Sequence, residues 1–246
     1  MKILLLAGTQ EARLLVSRLV KQNHVVTASL SGNTRNPNNL GCITRIGGFG
    51  GPQGFQMWLT EFRPDIVIDA THPFACSISL RTETICRDMK IPSILFLRNE
   101  WTPKKNDNWS FVDNYEEIKK NITLYSRIFL ATGAQSLDKF NNLEDCYIFC
   151  RKIDKAKNKF PFKYGEFIIG RPPFTVEDEM NLFKKLRIDC LVVKNSGGTA
   201  SESKLKAASI MDIPVIMLNR PYYSNLNKVN SIDECMDWVN NFEYKT

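Results

Sequence analysis

Four segments from the first half of this chain return in the second half, in matching positions and with similar gaps between them. Ile3-Leu4-Leu5-Leu6-Ala7-Gly8-Thr9-Gln10 returns as Ile128-Phe129-Leu130-Ala131-Thr132-Gly133-Ala134-Gln135. Arg63-Pro64-Asp65-Ile66-Val67-Ile68-Asp69-Ala70 returns as Arg187-Ile188-Asp189-Cys190-Leu191-Val192-Val193-Lys194. Ile91-Pro92-Ser93-Ile94-Leu95 is echoed by Ile213-Pro214-Val215-Ile216-Met217, and Val112-Asp113-Asn114-Tyr115-Glu116-Glu117 by Val229-Asn230-Ser231-Ile232-Asp233-Glu234. A strand followed by glycine is common in α/β proteins, so one echo carries little. Four in order argue that one structural unit occurs twice.

Each half alternates short apolar runs with helical patterns, which specifies a parallel sheet covered by helices on both faces. The expected fold is α/β: two Rossmann-like parallel-sheet lobes from an internal duplication, residues 1–123 and 124–246, with an interlobe cleft. The carboxyl ends of parallel strands, where ligands bind, would line that cleft. It would collect Gly8-Thr9, Ser31 to Arg35, Thr71-His72, Thr132-Gly133 and Asn195 to Thr199.

The formal charge of +7 calls for an acidic partner. No basic block interleaved with aromatics and no helix-turn-helix or RNA-binding signature occurs, so a small anionic ligand fits better than nucleic acid. The seven cysteines include no Cys-x-x-Cys, and His24 and His72 lie far apart, so no metal site is expected. The apolar start Ile3–Ala7 is too short for a signal-peptide core, and no segment is long enough to span a bilayer. The expectation is a cytoplasmic protein with reduced thiols and no membrane partner. A monomer is compatible with the sequence.

The stretch Asp65 to Ala75 concentrates the chemistry. A buried strand breaks abruptly into Thr71-His72-Pro73, and Pro73 biases His72 toward extended backbone. Gly8-Thr9-Gln10-Glu11 lacks the full dinucleotide fingerprint, yet the helix that opens there aims free amide groups at an anion. The second strand ends in Ser31, Thr34 and Arg35 with no carboxylate, which leans toward NADPH over NADH. Gly47-Gly48-Phe49-Gly50-Gly51 brings backbone close to a ligand or a neighbouring helix. Lys194-Asn195-Ser196-Gly197-Gly198-Thr199 combines ammonium, amide, hydroxyl and glycines ahead of a helix, a cradle for a carboxylate.

These residues resemble the precorrin-6A reductase family of corrinoid biosynthesis, cobalt-precorrin members included. The resemblance rests on Gly8-Thr9 with Glu11-Ala12-Arg13, Arg45 ahead of Gly47 to Gly51, and Asp69 to Ala75. It continues through Arg98, Trp101, Lys194 to Gly198, Lys204 with Ala207-Ala208, and Arg220-Pro221. Family members usually carry a second glycine where Ala7 stands and Ala-Gly-Arg where Ser31-Gly32-Asn33 stands, which leaves the phosphate contact to Arg35. The resemblance implies hydride transfer from NADPH or NADH to one double bond of an anionic tetrapyrrole. It implies cofactor contacts from Gly8, Thr9, Gln10, Glu11, Ser31, Arg35, Thr71, Thr132 and Gly133. Substrate contacts would come from Arg45, Gly47, Gly48, Phe49, Arg98, Asn195, Ser196, Gly197, Gly198 and Arg220. Arg151 and Arg171 also fall near expected strand ends. Reduction of a conjugated ring also needs a proton, for which His72, Asp69 and Lys194 are the catalytic candidates, His72 first for its intrinsic pKa. The alternatives are a two-lobe module that binds a small anion without chemistry, and another nucleotide-dependent enzyme.

Overall fold

Lys2–Leu6 (β1) is apolar after its first residue because both faces of the strand are covered: Ile3 and Leu5 join one core cluster, Leu4 and Leu6 another. The computed structural model describes residues 1–32, 39–153, 159–223 and 226–243. After β1 come Gln10–Lys21 (α1), Val25–Leu30 (β2), Ile43–Ile46 (β3), Gly51–Phe62 (α2), Ile66–Asp69 (β4), Cys76–Asp88 (α3) and Ser93–Phe96 (β5). Trp109–Val112 (β6), the 3-10 helix Glu116–Asn121 (η1), Arg127–Ala131 (β7), the 3-10 helix Ala134–Leu143 (η2), Tyr147–Lys152 (β8) and Gly165–Ile169 (β9) follow. Val176–Leu186 (α4), Cys190–Lys194 (β10), Ser203–Ile210 (α5), Val215–Leu218 (β11), Lys228–Val229 (β12) and Ile232–Glu243 (α6) complete the described elements.

The strands form two six-stranded parallel sheets, in the orders β12-β5-β4-β1-β2-β3 and β6-β11-β10-β7-β8-β9. The first is the doubly wound nucleotide-binding order, and the second repeats its spatial arrangement with the edge place of β12 taken by β6, the strand that comes first in its unit. The registers coincide with the sequence echoes. Ile3 pairs with Ile66 as Ile128 pairs with Cys190, and Val67 pairs with Ser93 as Leu191 pairs with Val215. Val229 sits opposite Phe96 as Val112 sits opposite Leu218.

That last correspondence corrects the expected boundary near residue 123. The two compact units are 1–99 with 221–246, and 100–220. Each sheet takes its sixth strand from the other half of the sequence, β12 beside β5 and β6 beside β11. Cys235, Met236 and Val239 of α6 follow β12 into the first unit and pack with Leu15 and Leu19 of α1. In the second unit, Phe183 and Leu186 of α4 and Leu205 and Ala208 of α5 cover Phe129, Phe149, Leu191 and Val215.

Three local features complete the fold. β3 is an edge strand whose Ile43, Thr44 and Ile46 are exposed, so no burial pattern marked it. The segment Glu116–Asn121, just past β6, is a 3-10 helix. In the glycine-dense loop Gly47, Gly50 and Gly51 have positive φ with open space where a Cβ would stand, and the close backbone approach falls at Gly54 of α2, where a Cβ would lie 1.8 Å from the Phe49 carbonyl oxygen.

A fragment of residues 100–220 holds every strand of its sheet and should fold cooperatively alone. A 124–246 fragment lacks β6, carries β12 without a sheet, and should not. Circular dichroism and thermal melts distinguish the two, and a cooperative 124–246 fragment would contradict the strand exchange.

Candidate active site

In the first unit, Gly8 is exposed with φ +143°, and a Cβ there would project into open space. Glycine is therefore favoured by the backbone itself and leaves room for a group laid against the turn. Thr9 caps α1: its Oγ1 accepts from the Ala12 amide at 3.1 Å and donates to the Ala70 carbonyl at 2.8 Å. Thr9 thus ties the β1 turn to the β4 end, a positioning role. Gln10 is exposed on the first residue of α1. Glu11 in the same turn pairs with Arg98 at 2.7 Å, both side chains largely buried. Burial works against the Arg98 charge, and the Glu11 carboxylate supports it.

Asp69 ends β4 and is 3% exposed. Its Oδ1 accepts from the Thr71 amide at 3.0 Å and the Thr71 hydroxyl at 2.7 Å, while Oδ2 has no hydrogen-bond partner. Burial pushes its pKa up, against opposing pulls from Ser79, Thr71 and the Arg81 charge. His72 is exposed, and its Nδ1 accepts from the Phe74 amide at 3.2 Å, so the neutral ring carries its proton on Nε2. The bend is pinned by a residue the sequence reading missed: the Tyr223 hydroxyl donates to the Pro73 carbonyl at 2.7 Å. Ser31 is exposed just past β2, and Arg35 lies outside the described residues.

Arg45 is engaged with its own loop. Its guanidinium donates to the carbonyls of Gly47 at 2.5 Å and Gly48 at 2.7 Å and lies 3.8 Å from the Phe49 ring centroid. It shapes the Gly47–Phe49 turn.

The second unit builds its own strand-end site. Asn195 is 1% exposed, and its amide bonds both backbone groups of Trp101: Oδ1 accepts from N at 2.9 Å and Nδ2 donates to O at 3.1 Å. The Trp101 indole donates to the Gly198 carbonyl at 2.9 Å, and Arg220 Nε donates to the Asn195 carbonyl at 2.6 Å. Asn195 therefore holds the loop in shape. Ser196 and Gly197 are buried beside it, and Gly197 and Gly198 both have positive φ. Lys194 is half-buried, and burial first, then the Lys139 charge, lowers its pKa. Thr132 is buried and its hydroxyl accepts from Ser136 Oγ at 2.9 Å, while Gly133 is exposed ahead of η2.

Arg151 and Glu179 form a buried two-pronged pair at 2.7 and 2.6 Å. Nearby Lys204 donates to the Ser201 carbonyl at 2.6 Å, and burial lowers its pKa to about 8. Arg98 and Arg220 occupy equivalent positions, each two residues past β5 and β11, and Thr71 and Asn195, just beyond β4 and β10, are likewise equivalent in register. No group of three or more potential metal-ligating His, Cys, Asp or Glu side chains occurs among the described residues. No helix among them is long and apolar enough to cross a membrane.

Two doubly wound sheets with polar side chains gathered at their strand ends define a Rossmann-type α/β protein. The family described as precorrin-6x reductase CbiJ/CobK matches residues 2–240. A precorrin-6A reductase of Rhodococcus erythropolis is 36% identical over 222 residues, 89% of each chain. One from Rhodobacter capsulatus is 33% identical, covering 97% of this chain and 95% of its own. A cobalt-precorrin-6A reductase of Priestia megaterium is 27% identical over 89% of this chain and 90% of its own. The solved structure of CobK precorrin-6A reductase superimposes with a TM-score of 0.94 at 32% identity, over 98% of this chain and 96% of that one. This chain belongs to the precorrin-6x reductase family.

The Asp69 environment makes a stability prediction. Its folded-state pKa is raised above the ordinary 3.8, so the protonated form's contribution is full below that value and is lost as pH climbs through the raised one. Asp69→Asn should therefore melt higher than the wild type at pH 7, with the difference shrinking as pH falls toward 3.8. A difference independent of pH would contradict the buried-acid assignment.

Proposed function

We propose that this chain reduces one macrocycle double bond of precorrin-6A or cobalt-precorrin-6A to the 6B form, using NADPH or NADH, in cobalamin biosynthesis. The observation that carries the reading is family membership over nearly the whole chain, with relatives of both substrate types. Seven unpaired cysteines are in keeping with a cytoplasmic enzyme.

The first unit's edge fits a dinucleotide. Gly8 leaves open space at the amino terminus of α1, where the amides of Gln10 and Glu11 are offered to a pyrophosphate. Ser31 and the Thr71 hydroxyl follow the strands on either side of β1, placed for the remainder. The described end of β2 presents hydroxyls and no carboxylate, which supports NADPH. When bound, the reduced nicotinamide supplies the hydride.

The chain's own residues do the rest. Arg98, held rigid by Glu11, faces an acid-rich substrate with a fixed positive charge. Arg45 shapes the turn at Gly47, Gly48 and Phe49 for contact with the substrate. The second unit offers Lys194, Ser196, the Gly197-Gly198 turn and Arg220 for carboxylates, with Asn195 setting their frame; Thr132 and Gly133 stand at its first strand end. His72, once charged as the imidazolium, delivers the proton from Nε2, with Asp69 and Lys194 as the other proton-carrying groups.

His72→Ala should lower turnover by about 10²-fold or more while leaving the nucleotide dissociation constant within about twofold. Single-turnover oxidation of NADPH with precorrin-6A, alongside fluorescence titration of the nucleotide, measures both. Unchanged turnover removes His72 from the chemistry.

A further inference from the structure

Behind the Thr71-His72 bend, the first unit holds a pocket of about 260 Å³ that the reduction reading leaves unused. Asp69, Ser79, Thr82, Glu83 and Arg87 supply its polar lining, with Ser93 and Asn227 on the strand side. Two of its polar atoms are buried without a partner, Asp69 Oδ2 and Thr82 Oγ1, on side chains 3% and 2% exposed. Such atoms are costly to bury dry, and a pocket of this size admits water that would satisfy them. Near the rim, Glu83 pairs with Arg87 at 3.1 Å.

Asp69 therefore faces two ways. Oδ1 is hydrogen-bonded to the Thr71 hydroxyl, next to His72, and the carboxyl also lines the pocket. We propose that this pocket is a proton inlet, in which Asp69 stores a proton taken from pocket water and passes it through Thr71 to the strand-end bend. The inference rests on the reductase reading, in which an acid-rich ring lying over His72 would screen that side chain from bulk water.

The transfer balances. After His72, charged as the imidazolium, gives up its Nε2 proton, the Thr71 hydroxyl turns from Asp69 Oδ1 and hands its proton, directly or across one water, to the emptied nitrogen. In the same step the protonated Asp69 carboxyl supplies its Oδ1 proton to Thr71 Oγ1 and becomes a carboxylate; pocket water carrying a solvent proton reprotonates it at Oδ2, and a half-turn of the carboxyl brings that proton back to the Thr71 side. One proton leaves the bend and one enters from solvent. The charged and titratable groups around Asp69 are Arg81, Glu83, Cys86 and Arg87, all from α3. The Arg81 charge favours the carboxylate and so helps Asp69 release its proton, while burial favours reloading.

The direct test is a carboxyl-carbon NMR titration of the substrate-free, full-length protein, with the Asp69 signal assigned by its loss in Asp69→Asn. Titration well above the ordinary carboxylate range is expected, and titration within or below that range overturns the inlet. Steady-state turnover gives the second readout. Thr71→Val and Thr82→Val should each lower kcat about tenfold, and Asp69→Asn about 10²-fold, all with KM within about threefold and with a larger solvent deuterium effect. Wild-type kcat and solvent effect in both Thr71→Val and Thr82→Val would also overturn it, even if Asp69→Asn fails to fold. A wild-type protein that does not reduce precorrin-6A refutes the reductase reading instead, and the NMR titration still decides whether Asp69 stores a proton.

Discussion

A parallel sheet covered on both faces leaves its polar chemistry one outlet, the ends of its strands. In this protein the constraint acts twice. β1, β4, β7 and β10 are apolar nearly throughout, and each changes character at its carboxyl end, to Gly8-Thr9, Asp69 to His72, Thr132-Gly133 and Lys194 to Gly198. The sites follow from the layers, since no other part of a doubly wound unit offers converging backbone amides next to side chains held by a rigid core.

Within the first unit, three hydrogen bonds convert the outlet into a defined geometry. Thr9 joins the first turn to Ala70, Asp69 holds Thr71, and Tyr223 holds Pro73. Tyr223 arrives with the exchanged carboxyl-terminal segment, which also supplies β12 and α6. Strand exchange thus does more than complete the sheet edge, because it brings the residue that braces the His72-Pro73 bend. In the second unit Asn195 and Trp101 do comparable work at the equivalent position, with an amide side chain substituting for a stretch of backbone pairing.

Much of this was legible in the residues alone. The echoes reported the fold, and the observed registers coincide with them, because a duplicated unit must repeat its apolar spacing to bury the same faces. Asp69 and His72 stood out because an acid and an imidazole at the end of a β-branched run have few structural reasons to be there. The strand exchange was not legible, since β12 is two residues long and the echo around Val112 and Val229 says that the segments are equivalent without saying which sheet each joins. Asn195 and Arg45 read as ligand contacts because their types suit an anion. Their actual partners, Trp101 94 positions away and the carbonyls of Gly47 and Gly48, emerge only once the chain is folded. Glu11 and Arg98 each looked like separate ligand contacts, and their pairing across 87 positions makes them one unit.

Under the proposed function, a reduced nicotinamide dinucleotide docks on the first unit's strand ends at the Gly8 turn. Amide hydrogen exchange on the full-length protein, with and without saturating NADPH, tests it most directly. Slowed exchange concentrated at residues 8–12 and 29–32 is the predicted result. Exchange unchanged at those residues while the nucleotide is bound would contradict the account.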